Sequence, residues 1–374
     1  MTRGLPIVDA RVAPRVDADA LPPLRVPVEV KVRLLQSCDL RCGMCWHWQD
    51  PERGRKQLPR ARVLALWSEL AALGVRRIKL TGGEPTLRKD LEALIAAASA
   101  LGLEVTLATN AYRLDPARLD ALVAAGVRAF HVSLDADHAA VHDEIRGVPG
   151  AFEGTVATLR YLAHAHGRTV KRVLSAVVLR RSIGHLRGLV SLAAATGVRA
   201  LYLLAVHTEP FCDGDRPSRS QLRHYYFDEL PAMLRAAAAS KVALRPAPLF
   251  ASLHALGPLE RAATLEGARL DPAAFSRELD AYAEERYGAF VYGDRACVDI
   301  EARAEIAETG DVYPCCHGEV PELAMGNLHE LSFAEVWRRA EYRAFRDPAG
   351  SRPAHPRCLT CKDAHDVALA ASPG

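Results

Sequence analysis

Val28-Glu-Val-Lys-Val-Arg-Leu-Leu-Gln-Ser-Cys38-Asp-Leu-Arg-Cys42-Gly-Met-Cys45 (28–45) joins a β-prone run to three cysteines within eight residues. The run 28–35 reads as a strand, and the cysteines after it have the spacing CxxxCxxC. Nine cysteines scattered at random through 374 residues would give that spacing about 0.005 times, so composition does not produce it. Three thiolates on one short loop can hold three irons of a cubane cluster and leave the fourth open to a substrate or cofactor. Gly43 lets the loop wrap around such a group. Zinc is the rival occupant, with His47 as a fourth ligand.

Outward from this loop the chain repeats a rhythm. Apolar runs at 75–81, 104–109, 128–135, 171–179 and 199–206 follow the first one, each compact enough for a strand covered by helices. Between them lie amphipathic stretches, 61–73, 89–101, 116–125, 151–166 and 185–196. The alternation predicts βαβ units around a parallel sheet. Six units suggest a partial (β/α)6 barrel; an open doubly wound sheet fits the same pattern. The expected organisation is an irregular extension at 1–25, the barrel at 26–215, a helical connecting region at 216–289, and a small α+β domain at 290–374.

CDLRCGMC after the first strand and Thr81-Gly82-Gly83-Glu84-Pro85 after the second together resemble the radical S-adenosylmethionine superfamily, over about residues 28–210. The resemblance implies a 4Fe–4S cluster on Cys38, Cys42 and Cys45, with the open iron taken by S-adenosylmethionine. It also implies a flavodoxin- or ferredoxin-type electron donor. Met44 stands where the family often has an aromatic residue near the adenine. The stretch Gly82, Gly83, Glu84, Pro85 is the expected contact of the methionyl amino group, the glycines allowing close approach and Glu84 offering a carboxylate. Asn110 ends the third strand in a turn that departs from the family's usual glycine at Ala111. Ser133 is expected to touch the ribose or methionyl group. Asp135 faces substrate or caps the next helix, and Arg146 is the candidate for the cofactor carboxylate, with a surface ion pair as its ordinary alternative.

The second cysteine set lies between 297 and 361. Cys297 and Cys315, spaced C-x12-G-x4-C, with the pair Cys358 and Cys361, can complete a four-ligand site. This arrangement resembles the SPASM/twitch type of auxiliary domain, in a short form with one auxiliary 4Fe–4S cluster. Cys316 competes with Cys315 as ligand, and a zinc ribbon is the bland alternative. Cys212, just past the sixth strand in HTEPFCDGD, is a candidate hydrogen donor to a substrate radical; a small buried residue is the ordinary reading. His207, Glu209, Asp213 and Asp215 share its loop and could bind a polar substrate.

A net charge of +3 gives no argument for nucleic acid or a membrane surface. The N-terminal stretch lacks the apolar core of a signal peptide, so the expected compartment is the cytoplasm. The expected activity is that of a radical oxidoreductase or epimerase on a small polar metabolite, sugar or aminocyclitol, in natural-product biosynthesis. Radical modification of a ribosomally made peptide is the alternative, weakened by the lack of a winged-helix recognition domain in residues 1–25. A non-catalytic zinc-binding scaffold is the third reading.

Overall fold

The computed structural model describes residues 26–45, 48, 56–206, 210–246, 303–315 and 321–346, with isolated positions between 262 and 300. Cys297, Cys316, Cys358 and Cys361, together with His47, His207 and Glu209, lie outside the described residues.

Strands and helices alternate from the start: β1 (Glu29–Arg33), α1 (Arg60–Leu73), β2 (Arg77–Thr81), α2 (Leu91–Ala100), β3 (Glu104–Thr109), α3 (Pro116–Ala125) and β4 (Val127–Ser133). Two helices follow β4, α4 (Ala139–Arg146) and α5 (Ala151–His166), before β5 (Lys171–Val178), α6 (Leu186–Ala195) and β6 (Ala200–Ala205). Then come α7 (Arg219–His224), α8 (Leu230–Ala239) and β7 (Ala243–Arg245). The C-terminal part holds β8 (Arg303–Ile306), β9 (Asp311–Tyr313), β10 (Gly326–Asn327), α9 (Phe333–Arg338) and α10 (Ala340–Arg346).

All strands among the described residues share one sheet in the order β10-β9-β8-β1-β2-β3-β4-β5-β6-β7. From β8 through β7 every neighbouring pair is parallel. The fold is α/β, a partial (β/α)6 barrel with a small C-terminal α+β segment. Two features go beyond the sequence reading. The sheet runs past residue 215, because β7 pairs with β6. The β8–β9 hairpin extends the barrel sheet, with β8 parallel to β1 in the register Lys31↔Glu305.

The helices form because their apolar residues recur at helical spacing. In α1, Val63, Leu66, Trp67 and Leu70 make one buried stripe, and Gly74 ends the helix with φ 93°, donating its N–H to Ala71 and Leu70. These stripes cover one face of the sheet, where Val30, Val32, Ile78, Leu80, Val105, Leu107, Val132, Leu174, Leu201 and Leu203 are buried. The other face is different. Lys31, Lys79, Thr106, His131, Ser133, Ser175, Tyr202 and Arg245 alternate with those residues and are only half-buried. A closed eight-stranded barrel fills its interior with branched apolar side chains; the inner face of this half-barrel carries polar ones.

The C-terminal segment docks on α1. Glu69 accepts the Phe333 backbone N–H at 2.6 Å, and Arg62 donates to the Leu328 carbonyl at 2.6 Å. Phe333, Val336 and Trp337 are buried there, with Ser332 and Glu335 forming a capping box on α9.

Candidate active site at the cysteine loop

The cysteine loop sits at the carboxyl end of β1, where the catalytic loops of α/β barrels gather. Backbone bonds clamp it on two sides. Gly83 and Glu84 donate N–H to the carbonyls of Leu35 and Ser37, both at 2.8 Å, and Arg41 donates to the Arg146 carbonyl at 2.9 Å. The paired glycines have a specific structural reason. A Cβ on Gly83 would lie 2.1 Å from the Ser37 oxygen and 2.3 Å from that of Gln36; one on Gly82, whose φ is 142°, would lie 2.3 Å from the Leu35 oxygen. The close approach they permit is to the chain entering the cysteine loop. Gly83→Ala is therefore expected to cost about 3 kcal/mol, the upper range for overpacking, because backbone on both sides must move. Urea unfolding at pH 7 measures it; a loss under about 0.5 kcal/mol, the scale of an ordinary surface substitution, counts against this clamp.

Glu84 is buried and its carboxylate is engaged inside the fold. It accepts from the Thr86 N–H (3.0 Å) and hydroxyl (2.6 Å), the Thr109 hydroxyl (2.8 Å) and the Asn110 N–H (2.8 Å). Burial pushes its carboxyl up, against the pull of these donors. It thus ties the loop after β2 to the end of β3, while buried Pro85 opens a 3-10 turn. Asn110 in turn donates to Asp39 of the cysteine loop at 2.9 Å. Ala111, where the family's turn carries glycine, has φ 63°.

Cys42 is the deepest of the three loop cysteines. Its sulfur lies 3.7 Å from Arg146 Nη1, and Arg146 Nη2 is ion-paired with buried Asp135 at 2.7 Å. Burial alone would lower the Arg146 pKa; Asp135 and Cys42 outweigh it and hold the guanidinium above its usual range. Asp135 also accepts the Val177 N–H at 2.9 Å, and its own N–H donates to His142 Nδ1 at 3.1 Å. Asp135 does not cap the next helix, whose N-cap is His138; it is fully buried and anchors Arg146 beneath the loop. His142 also belongs to this site, a role not assigned to it from the sequence because it depends on how α4 lies against β4. Burial, with Arg146 nearby, pushes its pKa down to about 2.

Met44 is half-buried between two apolar groups, Leu40 with Ala151 and Ile145 with Val206. Cys212 is enclosed among Ile145, Leu179 and Val206, its thiol donating to the Met44 carbonyl at 3.5 Å. Asp215 is buried and ion-paired with Arg181 at 2.6 Å. Ser133 is half-buried at the end of β4, and Cys315 is half-buried just after β9.

The donor set fits a cluster. Burial pushes the Cys38 thiol up to about 12 and raises that of Cys42, so free thiolates are disfavoured there unless a cation or metal compensates them. The Leu40 N–H reaches Cys38 Sγ at 3.4 Å, and Arg146 faces Cys42. Arg146 Nε is buried with no hydrogen-bond partner among the described residues, leaving a donor for a further anion.

Three loop cysteines over a polar half-barrel define an iron–sulfur protein of the α/β-barrel class. Residues 32–187 match the radical SAM superfamily, and residues 297–362 match SPASM, an iron–sulfur cluster-binding domain. The AdoMet-dependent heme synthase of Methanosarcina barkeri is 28% identical over 320 residues, covering 84% of this chain and 83% of its own. The PqqA peptide cyclase of Ruegeria pomeroyi is 27% identical over 324 residues, covering 86% and 76%. Among solved structures, Streptococcus suis SuiB has a TM-score of 0.63 at 18% identity, over 90% of this chain and 72% of that one. The chain belongs to the radical SAM superfamily and is an enzyme with a C-terminal iron–sulfur domain of the SPASM type. Its cofactors are a 4Fe–4S cluster, S-adenosylmethionine and auxiliary iron–sulfur. When bound, the cluster would supply one-electron reduction for chemistry on S-adenosylmethionine. No helix among the described residues is long and apolar enough to cross a membrane.

Proposed function

We propose that the protein removes a hydrogen atom from a peptide substrate and thereby modifies it. The observation that carries this reading is the match of 86% of the chain to a peptide cyclase, combined with a half-barrel whose inner face carries half-buried polar side chains. SuiB, whose fold it shares, has been solved with its precursor peptide SuiA. These relatives favour a peptide over the sugar or aminocyclitol expected from the sequence. They do not carry the oxidoreductase or epimerase assignment, which stays part of this proposal. A second reading, a porphyrin substrate, is favoured by the match to the heme synthases.

In this proposal Cys38, Cys42 and Cys45 hold the first cluster. Arg146 offers Nε to the cofactor carboxylate, and Gly82, Gly83, Asn110 and Ser133 surround the cofactor. Met44 packs near the adenine. Cys297, Cys315, Cys358 and Cys361 hold the auxiliary cluster; the SPASM match at 297–362 spans all four. The enclosure of Cys212 supports its holding Met44 in place over its donating hydrogen. The electron comes from a flavodoxin- or ferredoxin-type donor, and the compartment is the cytoplasm.

The test is anaerobic turnover of the reconstituted enzyme with dithionite, S-adenosylmethionine and short peptides encoded beside its gene. Peptide-dependent 5′-deoxyadenosine, with hydrogen lost from the peptide by mass spectrometry, is expected. Unchanged peptides alongside a consumed porphyrin would transfer the assignment to the second reading.

A further inference from the structure

Two histidines stand at helix starts without serving that position. His138 is the N-cap residue of α4 and His185 that of α6, and neither side chain caps its helix. Serine, threonine, aspartate and asparagine suit that place, because a short oxygen acceptor reaches the first free N–H groups. Both rings turn to one carboxylate instead. His138 Nδ1 lies 2.8 Å from Asp137 Oδ1, and His185 Nδ1 lies 3.5 Å from the same oxygen. The two rings meet edge-on, with 4.6 Å between centroids. The pairing of β4 with β5 places the two connections side by side, since Asp137 and His138 follow β4 and His185 follows β5.

Gly188, in the first turn of α6, lets the carboxylate in. A Cβ there would overlap Asp137 Oδ2 and lie 2.6 Å from the Asp137 Cβ. Glycine is unfavourable inside a helix; here it makes room for Asp137. Hydrogen bonding accounts for only one of the two histidine contacts. His138 is bonded to Asp137 at 2.8 Å, whereas 3.5 Å for His185 lies outside the usual N–H···O range. One ligand atom from each of the three residues lies within 4.8 Å of the other two. Ligands held at about 2.0–2.1 Å in a tetrahedron are about 3.3 Å apart, so small side-chain rotations close this group onto an ion. All three side chains are partly exposed, which gives the ion a way in and a water a place beside it.

We infer that Asp137, His138 and His185 form a zinc site that fastens the start of α4 to the start of α6. Two imidazoles and one carboxylate are a zinc donor set with a fourth position for water. For such nitrogen and oxygen ligands the Irving–Williams order ranks zinc above manganese and ferrous iron. The site lies outside the cysteine loop and contains no thiol. It reaches the loop through α4, which runs from His138 to Arg146 beside Cys42. The inference holds whichever substrate the enzyme takes.

Anaerobically reconstituted holoenzyme, passed over a chelating resin, is dialysed against micromolar zinc, and zinc and iron are then counted per chain. Wild type is expected to take up about one zinc ion, as one three-ligand site requires, with its iron unchanged. His185→Ala is expected to weaken zinc binding by at least about a hundredfold, the upper end for disturbing even an outer partner of a metal ligand. Gly188→Ala keeps all three ligands but drives the Asp137 side chain aside, and is expected to weaken binding about tenfold. Zinc also raises the thermal unfolding midpoint of wild type and not that of His185→Ala, because it binds only the folded site. Circular dichroism without zinc confirms that both variants fold. No uptake by wild type, equal uptake by wild type and His185→Ala, or uptake only as iron is lost overturns the site.

Discussion

Replacing Cys42 with serine is expected to leave the protein folded but without its first cluster, and to cut 5′-deoxyadenosine formation by at least about a thousandfold, roughly 4 kcal/mol of barrier. Cys42 is the loop cysteine that the structure builds around. It is 6% exposed, its sulfur faces Arg146, and its carbonyl accepts the Trp48 indole N–H at 2.7 Å. Serine keeps the volume and the backbone bonds. It supplies a hydroxyl in place of a soft sulfur ligand, and a three-thiolate set reduced to two cannot hold the cubane. The Arg146–Asp135 pair persists in the variant, so the protein retains its internal charge balance. Iron and labile-sulfide content, low-temperature electron paramagnetic resonance and 5′-deoxyadenosine yield check this. Full iron content with unchanged yield in Cys42→Ser would remove the trio from its assigned role.

Acidification is expected to destabilise the fold by about 4 kcal/mol between pH 7 and pH 5 through two histidines alone. His131 and His142 have pKa values pushed down by burial from 6.5 to about 3 and about 2. A group with a depressed native pKa contributes stability that is complete above its unfolded value and is lost as pH falls towards its folded one. Below pH 6.5 the unfolded chain takes up both protons and the native state neither. Each pH unit then costs about 1.4 kcal/mol per histidine, and at pH 5 the two together cost about 4 kcal/mol. Protonating His142 also removes the acceptor for the Asp135 N–H, next to Arg146. Glu84, its carboxyl pushed up by burial, works in the opposite sense, so variants isolate the histidine effect better than the raw profile does. Urea midpoints at pH 7 and 5 for wild type, His131→Asn and His142→Asn measure it. Each variant should flatten the profile by about half; an unaltered slope in both would refute the assignment.

Much of the barrel was legible before folding. The runs at 104–109 and 171–179 become β3 at Glu104–Thr109 and β5 at Lys171–Val178, and the stretch 116–125 is α3. Apolar periodicity is local, and helices and strands obey it wherever one face is covered. The polar inner face was harder to see. Val30, Val32, Ile78 and Leu80 dominate their segments and read as continuous apolar strands, although Lys31, Arg33 and Lys79 alternate with them. Similarly, Gly82 and Gly83 pointed to close approach, and Glu84 to a carboxylate. That the approach is to Leu35–Ser37, and that the carboxylate serves Thr86, Thr109 and Asn110, depends on how β1, β2 and β3 lie side by side.

By itself, the sequence determined the chemistry this protein can carry: three thiols at cluster spacing, a glycine pair one unit later, and βα repeats to hold them. Those are properties of neighbours along the chain, set by spacing and periodicity. The tertiary structure alone decided which charges meet. Arg146 reaches Cys42 across 104 positions, and Lys79 reaches His131 across 52. Electrostatic interaction depends on separation through space and on burial, and neither exists until the sheet has curved and the helices have closed over it.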